Sequence, residues 1–296
     1  MMRPASRFIQ PGELRLHVTT WGDEAAPPVL LVHGLWDHNR SWDWIAARLA
    51  QTHFVIAPDL RGHGDSQWAS PDGYTLGAHV LDLADVIAAM ELEQVVLVGH
   101  SLGGALGLRL AAAFPECIAA MVGIECVTLP IQRDEMAAHR PYPLRLRDWI
   151  ERRRNKRATE PTRFADADEA RQRLARNHPE LDAETVKRLA IYGLREAPDG
   201  GYAWKFDPLV RGRPPEDQRG DDLRDVLAAT ACPTLLVYGD SAKRPAPGPD
   251  LLGLMRDVQL EIMPGGSHLL HHQMRDAFCD LLIPFLKQHS GKACHA

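Results

Sequence analysis

Val95-Val96-Leu97-Val98-Gly99-His100-Ser101-Leu102-Gly103-Gly104-Ala105 is the run whose reading decides the fold. Four β-favouring apolar residues end at Gly99, Ser101 follows between small residues, and a helix-forming run from Ala105 to Ala113 comes directly after. This pattern predicts a buried strand, a sharp turn and a helix that starts on the turn. Gly99 and Gly103 lie two residues either side of Ser101, where a tightly bent backbone leaves no room for a Cβ. Such a turn lifts the Ser101 hydroxyl to the helix N-terminus, where the macrodipole favours negative charge.

Working outward, apolar runs of buried-strand type recur at Val29 to Val32 and Phe54 to Ala57, and Ile118 to Glu125, Thr234 to Tyr238 and Gln259 to Met263 read as further strands. Helical patterns alternate with them: a segment capped by Ser41 and ending near Ala50, then Ala78 to Met90, Leu223 to Ala229, Asp250 to Arg256, and a last one from about Arg275 to Gln288. Arg7 to Gln10 and Leu14 to Trp21 read as an antiparallel hairpin. The expected class is therefore α/β, a mostly parallel twisted sheet with helices on both faces. The alternation breaks in the middle, where the chain turns Arg-rich, proline-punctuated and helical, with candidate helices at Leu146 to Arg157, Asp166 to Asn177 and Ala183 to Leu194. Gly200 to Phe206 is more extended. We expect one core from 1–128 and 223–296 and a helical cap inserted at 129–222. The arginines around Arg152, Arg153 and Arg154 read as a solvated helix face.

These motifs resemble the α/β-hydrolase superfamily, and among its members the capped, esterase-like serine hydrolases. The resemblance rests on the elbow around Ser101, His33-Gly34 after an early strand, Pro58-Asp59-Leu60-Arg61-Gly62-His63-Gly64-Asp65-Ser66, and Gly265-Gly266-Ser267-His268 near the end, in that order. It implies a nucleophile, an acid and a histidine in the chain order Ser, acid, His. A serine hydroxyl needs a base to take its proton, and a carboxylate must hold that base's tautomer. Of fourteen histidines, position singles out His268, whose loop follows the last strand and arrives at the same sheet edge as the elbow. His271 and His272 are expected to start the next helix, and His100 to pack beneath the elbow.

The acid departs from the family's usual pattern. The position three residues after Gly239, where many members carry it, is Ala242. Two carboxylates remain: Glu125, which ends the strand before the inserted segment, and Asp240, directly after Gly239. Some haloalkane dehalogenases and some capped serine hydrolases resemble this chain in taking the acid from the earlier strand end, which favours Glu125, with Asp240 as the alternative. Dehalogenase and epoxide-hydrolase chemistry is disfavoured, because those relatives carry aspartate where Ser101 stands. By resemblance, the backbone N–H groups of Leu35 and Leu102 form the oxyanion hole. Trp36, Val127, Leu129, Trp149, Tyr192, Trp204 and Leu269 are candidate pocket linings for a medium-sized, largely apolar group. The implied activity is carboxylic-ester cleavage. Amidase, thioesterase, lactonase, acyltransferase and carbon–carbon hydrolase chemistry stay open on the same triad, as does a non-catalytic, ligand-binding descendant of the fold.

The totals set the remaining bounds. The 296 residues, 45% hydrophobic and 25% charged, are ordinary for a globular chain with a full-sized core. A net charge of −5 argues against nucleic acid or an anionic membrane as partner. Nothing resembles a secretory leader or a bilayer-spanning run. Cys117, Cys126, Cys232, Cys279 and Cys294 lack C-x-x-C spacing and read as reduced packing residues of a cytoplasmic protein. Metal-ligand spacing and phosphate-cradling or dinucleotide motifs are absent, so no cofactor and no metal is expected. The expected partner is a small-molecule ester or related acyl substrate.

Overall fold

The computed structural model describes residues 3–127, 141–156, 161–212, 214–218, 220–242 and 245–290. Its frame is an eight-stranded sheet built from β1 (Ala5–Ile9), β2 (Leu16–Trp21), β3 (Pro28–Val32), β4 (Phe54–Pro58), β5 (Val95–His100), β6 (Ile118–Ile124), β10 (Thr234–Gly239) and β11 (Val258–Met263). The order is β1-β2-β4-β3-β5-β6-β10-β11. β1 and β2 run antiparallel to each other, β2 runs antiparallel to β4, and the other pairings are parallel.

The central strands are continuous apolar runs because both faces of the sheet are covered. Leu30, Val32, Ile56 and Leu97 point to one face, against Leu83 of α2 (Leu76–Ala89), Leu106 of α3 (Leu102–Ala113) and Leu223. Val29, Leu31, Val96 and Val98 point to the other, against Ile45 and Leu49 of α1 (Asp43–Leu49) and against Phe278 and Leu282 near the C-terminus. After β3 the chain adds β4 on one side, and after β4 it returns to lay β5 on the other. That reversal opens a crevice beyond the carboxyl ends of β3 and β5, where open α/β sheets bind ligands.

Between β6 and β10 lie α4 (Tyr142–Lys156), α5 (Ala167–Asn177), α6 (Ala183–Gly193) and a small antiparallel sheet of β7 (Arg163–Phe164), β9 (Tyr202–Trp204) and β8 (Leu194–Glu196). The segment thus carries three strands besides its helices, of which β9 lies in the Gly200 to Phe206 stretch expected to be extended, and Phe164, Ala170, Ala190 and Leu194 form a small core of their own. Asp166 and Asp182 cap α5 and α6 through their side chains. The segment is tied to the sheet by Asp207, whose N–H donates to Gly62 O at 2.8 Å, and by His38 Nε2, 3.0 Å from Leu189 O.

Three local expectations are corrected. Ser41 does not cap α1: a 3-10 turn over Asn39–Trp42 precedes the helix, and the Ser41 hydroxyl donates to Asp37 at 2.9 Å. The Asp250 to Arg256 helix is only α8 (Pro249–Leu252), because the chain turns out at Gly253. Arg153 is not solvated: it is 5% exposed and donates to the carbonyls of Leu209 and Pro71. The chain then forms α7 (Gly220–Ala229) before β10, and α9 (Leu270–Gln273) and α10 (Arg275–His289) after β11. Cys117, Cys126, Cys232 and Cys279 are free thiols. Among the described residues no helix is long and apolar enough to cross a membrane.

Candidate active site

Ser101 sits between β5 and α3 with φ 52° and ψ −111°. A non-glycine residue at positive φ is strained, and the elbow's close packing imposes it. A Cβ on Gly99 would lie 2.5 Å from Gly104 N, and one on Gly103 would lie 2.2 Å from Val32 O. The Ser101 N–H donates to Ile124 O at 2.8 Å, which locks the elbow to the end of β6.

The next residue of that neighbouring strand end is Glu125, also at positive φ (52°) and 1% exposed. A buried carboxylate needs partners. Oε1 accepts the N–H of Gly239 at 2.8 Å, and Oε2 faces His268 Nδ1 at 3.4 Å. That separation is longer than the about 2.7–3.2 Å of a settled N–H···O bond, as is common before substrate tightens such a pair. The His268 ring lies 4.7 Å from that of His100, the residue before the nucleophile candidate. Asp240 is exposed and turned elsewhere: its Oδ1 accepts the N–H of Gly265 at 2.6 Å and takes Ser241 Oγ at 3.3 Å. The structure therefore brings Glu125 against His268 and leaves Asp240 bracing the turn that carries the histidine's loop.

The loop after β3 approaches from the other side. A Cβ on Gly34 would meet the Ser101 Cβ at 3.4 Å. His33 is buried, and desolvation lowers its pKa against the opposing pull of Asp37 and Asp59, so the ring is neutral. Its Nδ1 donates to Gly34 O at 2.7 Å while Nε2 accepts the N–H of Leu60 at 3.0 Å, which fixes the tautomer. Holding the Gly34 carbonyl aims the N–H of Leu35 the opposite way, because the trans peptide sets C=O and N–H on opposite sides. Leu102 is the first residue of α3, so its N–H has no partner within the helix. Trp36 stands next on this loop at φ 66° and 45% exposed. Of the four non-glycine residues at positive φ among those described, Trp36, Ser101 and Glu125 all lie around this crevice. Backbone strain gathers where function is expected.

Residues 29–281 match the family model described as the alpha/beta hydrolase family. The chain belongs to the alpha/beta hydrolase family. The chain is 28% identical over 278 residues to the putative carbamate hydrolase RutD of Yersinia enterocolitica, covering 93% of each chain. It is 36% identical over 197 residues to the lipase LipV of Mycobacterium tuberculosis, covering 64% of this chain and 66% of LipV. An uncharacterized protein of the same organism is 39% identical over 94 residues, so the match spans 32% of this chain and about a quarter (27%) of that relative's length. Among solved structures, E-2-(acetamidomethylene)succinate hydrolase superposes with a TM-score of 0.79 at 23% identity, covering 96% of this chain and 100% of that one. At that identity the likeness speaks for the fold alone.

The expected pocket residues fall into two sets. Trp36 packs near Phe206 (ring centroids 6.0 Å apart), and Phe206 stacks on Trp204 at 6.2 Å and 11°. These three rings run from the loop after β3 into the small sheet. Val127 is buried and donates its N–H to the Tyr238 hydroxyl at 2.9 Å, and Leu269 is half-buried beside His268. Trp149 instead donates to Gly212 O at 2.8 Å, and Tyr192 packs under Arg40, whose guanidinium lies 4.0 Å from the ring. Leu129 lies outside the described residues. Phe206 was missed, although its spacing from Trp204 puts both rings on one face of an extended run. One set of ligand-type atoms among the described residues comes within 4.8 Å, from His17, Asp59 and Asp65. Its members are engaged internally, His17 Nδ1 with Asp59 at 2.7 Å and Asp65 with Lys205 at 2.7 Å.

Proposed function

We propose that the protein is a serine hydrolase that cleaves carboxylic esters through an acyl-enzyme, with Ser101 as nucleophile, His268 as base and Glu125 as the acid. The observation that carries this reading is the buried Glu125 carboxylate, anchored on Gly239 N and facing His268 Nδ1 beside a strained serine. Glu125 keeps the proton of His268 on Nδ1, so the lone pair on Nε2 accepts the hydroxyl proton of Ser101. The alkoxide attacks the ester carbonyl, and the oxyanion is held by the N–H groups of Leu35 and Leu102, a contribution of about 3 kcal/mol per donor. The imidazolium returns its proton to the leaving alcohol. A water activated by the same base then releases the acid and frees Ser101. Each group this sequence uses is a side chain or main-chain N–H of the chain itself.

Residues 129–222 act in this reading as a lid over the crevice, and the wall of Trp36, Phe206 and Trp204 receives the apolar part of a small-molecule substrate. The free thiols fit a reducing, cytoplasmic setting. Likeness to a carbamate hydrolase across 93% of the chain supports a second reading, acyl–nitrogen cleavage on the same three residues. The experiment is covalent labelling by a fluorophosphonate, followed by p-nitrophenyl esters of increasing chain length run beside an amide, a carbamate and a thioester. We expect labelling that Ser101→Ala abolishes and fastest turnover of esters. A wild-type protein inert to the probe would turn the reading towards a binding protein that kept the fold.

A further inference from the structure

From His268 inward runs a column of imidazoles. The rings of His268 and His100 are 4.7 Å apart, those of His100 and His271 4.4 Å, and those of His271 and His272 4.0 Å. His100, His271 and His272 are at most 5% exposed. The far end of the column meets Asp37 on the loop after β3, 4.0 Å from His272 Nε2. The acyl-transfer scheme uses only His268 of these four.

His100 occupies the junction of all three catalytic loops. It is the last residue of β5 and directly precedes Ser101. Its Nε2 lies 2.9 Å from the main-chain oxygen of His268. A carbonyl only accepts, so Nε2 carries the proton and Nδ1 is bare. That bare Nδ1 abuts the oxyanion loop, where a Cβ on Gly34 would come within 2.7 Å. Burial, with His268 and His272 close by, drives the pKa of His100 far below its ordinary value, so the ring stays neutral while His268 changes charge beside it.

We propose that His100 is a positioning residue for His268: its Nε2–H fixes the main chain of the base's loop at the elbow, and its ring forms the surface against which the base's imidazole lies. The turn before His268 is braced by Asp240, which accepts the N–H of Gly265 at 2.6 Å, and by Gln273, whose Oε1 accepts the N–H of Ser267 at 2.8 Å. The bond from His100 is what joins the main chain of His268 itself to the elbow, while its imidazole faces Glu125 at 3.4 Å. An anchor from the residue next to Ser101 sets the separation of nucleophile and base from inside the elbow, independently of substrate. The hydrogen bond exerts this effect through the loop, so it alters turnover and not substrate binding.

The inference rests on His268 being the base, and the experiment separates the two. His100→Gln places an amide N–H near the position of Nε2. His100→Asn stops a bond short, and His100→Phe keeps the ring without the donor. Steady-state kinetics on a p-nitrophenyl ester, fluorophosphonate labelling rates and thermal melts are measured for each, with His268→Ala alongside. Displacement of a reacting group by an ångström costs on the order of 100-fold. We therefore expect kcat and labelling rate to fall about 10- to 100-fold in the Phe and Asn variants with KM within about threefold, and most of the loss to be recovered in Gln. Where the Phe variant fails to fold, the Gln–Asn contrast carries the comparison. Equal loss in Gln and Asn, a loss carried by KM, or full turnover in Phe or Asn overturns the inference while His268→Ala remains inactive. An active His268→Ala overturns the reading of the base itself.

Discussion

At the scale of single residues, the site is built from conformations the chain does not adopt willingly. Ser101 and Glu125 both sit at φ 52°, and such outliers cost about 1–3 kcal/mol each. Ser101→Gly removes the strain at the price of a looser unfolded chain, about 0.5–1 kcal/mol. The expected net effect is a gain of about 1 kcal/mol in urea unfolding, together with complete loss of the proposed esterase activity. A variant less stable than the wild type would show that the elbow is relaxed. Glu125→Gln keeps the shape but lets the amide present either atom to His268, so kcat should fall about 10³- to 10⁴-fold, as when a triad carboxylate is neutralised elsewhere. Asp240→Asn should stay within about threefold, since its oxygen serves Gly265; the reverse ranking in kcat would move the acid to Asp240. Ser101 and His268 were legible as candidates because glycine spacing and chain order mark them. Between Glu125 and Asp240 the sequence favours one without deciding, because both end neighbouring strands. What separates them in space is the approach of Gly239 to Gly266, which spends Asp240 on the turn and leaves Glu125 beneath the ring.

At the scale of elements, legibility followed burial. β3, β5 and β6 are buried on both faces, so their apolar runs announce them, and α3 ends at Ala113, where its helix-forming run does. The strands β7, β8 and β9 are two or three residues long, below the length at which alternation is readable, and of them only β9 falls in a stretch, Gly200 to Phe206, that the sequence marks as extended. The charged neighbours of Arg153 point to a solvated face, and helical phase decides otherwise. Arg152 and Arg154 are exposed, while Arg153 turns inward to the carbonyls of Leu209 and Pro71. Removing it orphans two acceptors at about 1–3 kcal/mol each. We expect Arg153→Ala to lose about 2–4 kcal/mol in urea unfolding and Arg154→Ala less than about 0.5 kcal/mol. Equal effects would return Arg153 to the solvated face. Because Arg153 braces the turn over Pro208–Arg211, which follows Phe206, its loss should also raise KM for bulky esters.

For the whole molecule, the consequence of burying so many imidazoles is a stability that depends on pH. His33, His63, His100 and His271 are buried with pKa values lowered by desolvation, His63 to about 3. In the unfolded chain each takes a proton near pH 6.5. As pH falls through that value the unfolded state binds protons that the folded state refuses, so stability is full above about 6.5 and is lost progressively below it. For a group shifted that far, the loss between pH 6.5 and 5 is about 2 kcal/mol. Two such groups remove about 4 kcal/mol, a large part of the 5–15 kcal/mol margin typical of a folded domain. His271 isolates the effect. Neither of its ring nitrogens has a hydrogen-bond partner, and it lies against Trp42 at 4.9 Å and Phe278 at 6.4 Å. The charged or titratable groups acting on it are His272, His100 and His268. His271→Phe substitutes a ring of similar size that has nothing to protonate. In urea unfolding followed from pH 7.5 down to 5, the variant should match or exceed the wild type at pH 7.5. Its stability should then fall less steeply, by up to about 1.4 kcal/mol per pH unit for the one proton removed from the balance. An unchanged slope would mean that His271 takes up its proton in the folded protein, and its neutrality would then have to be abandoned.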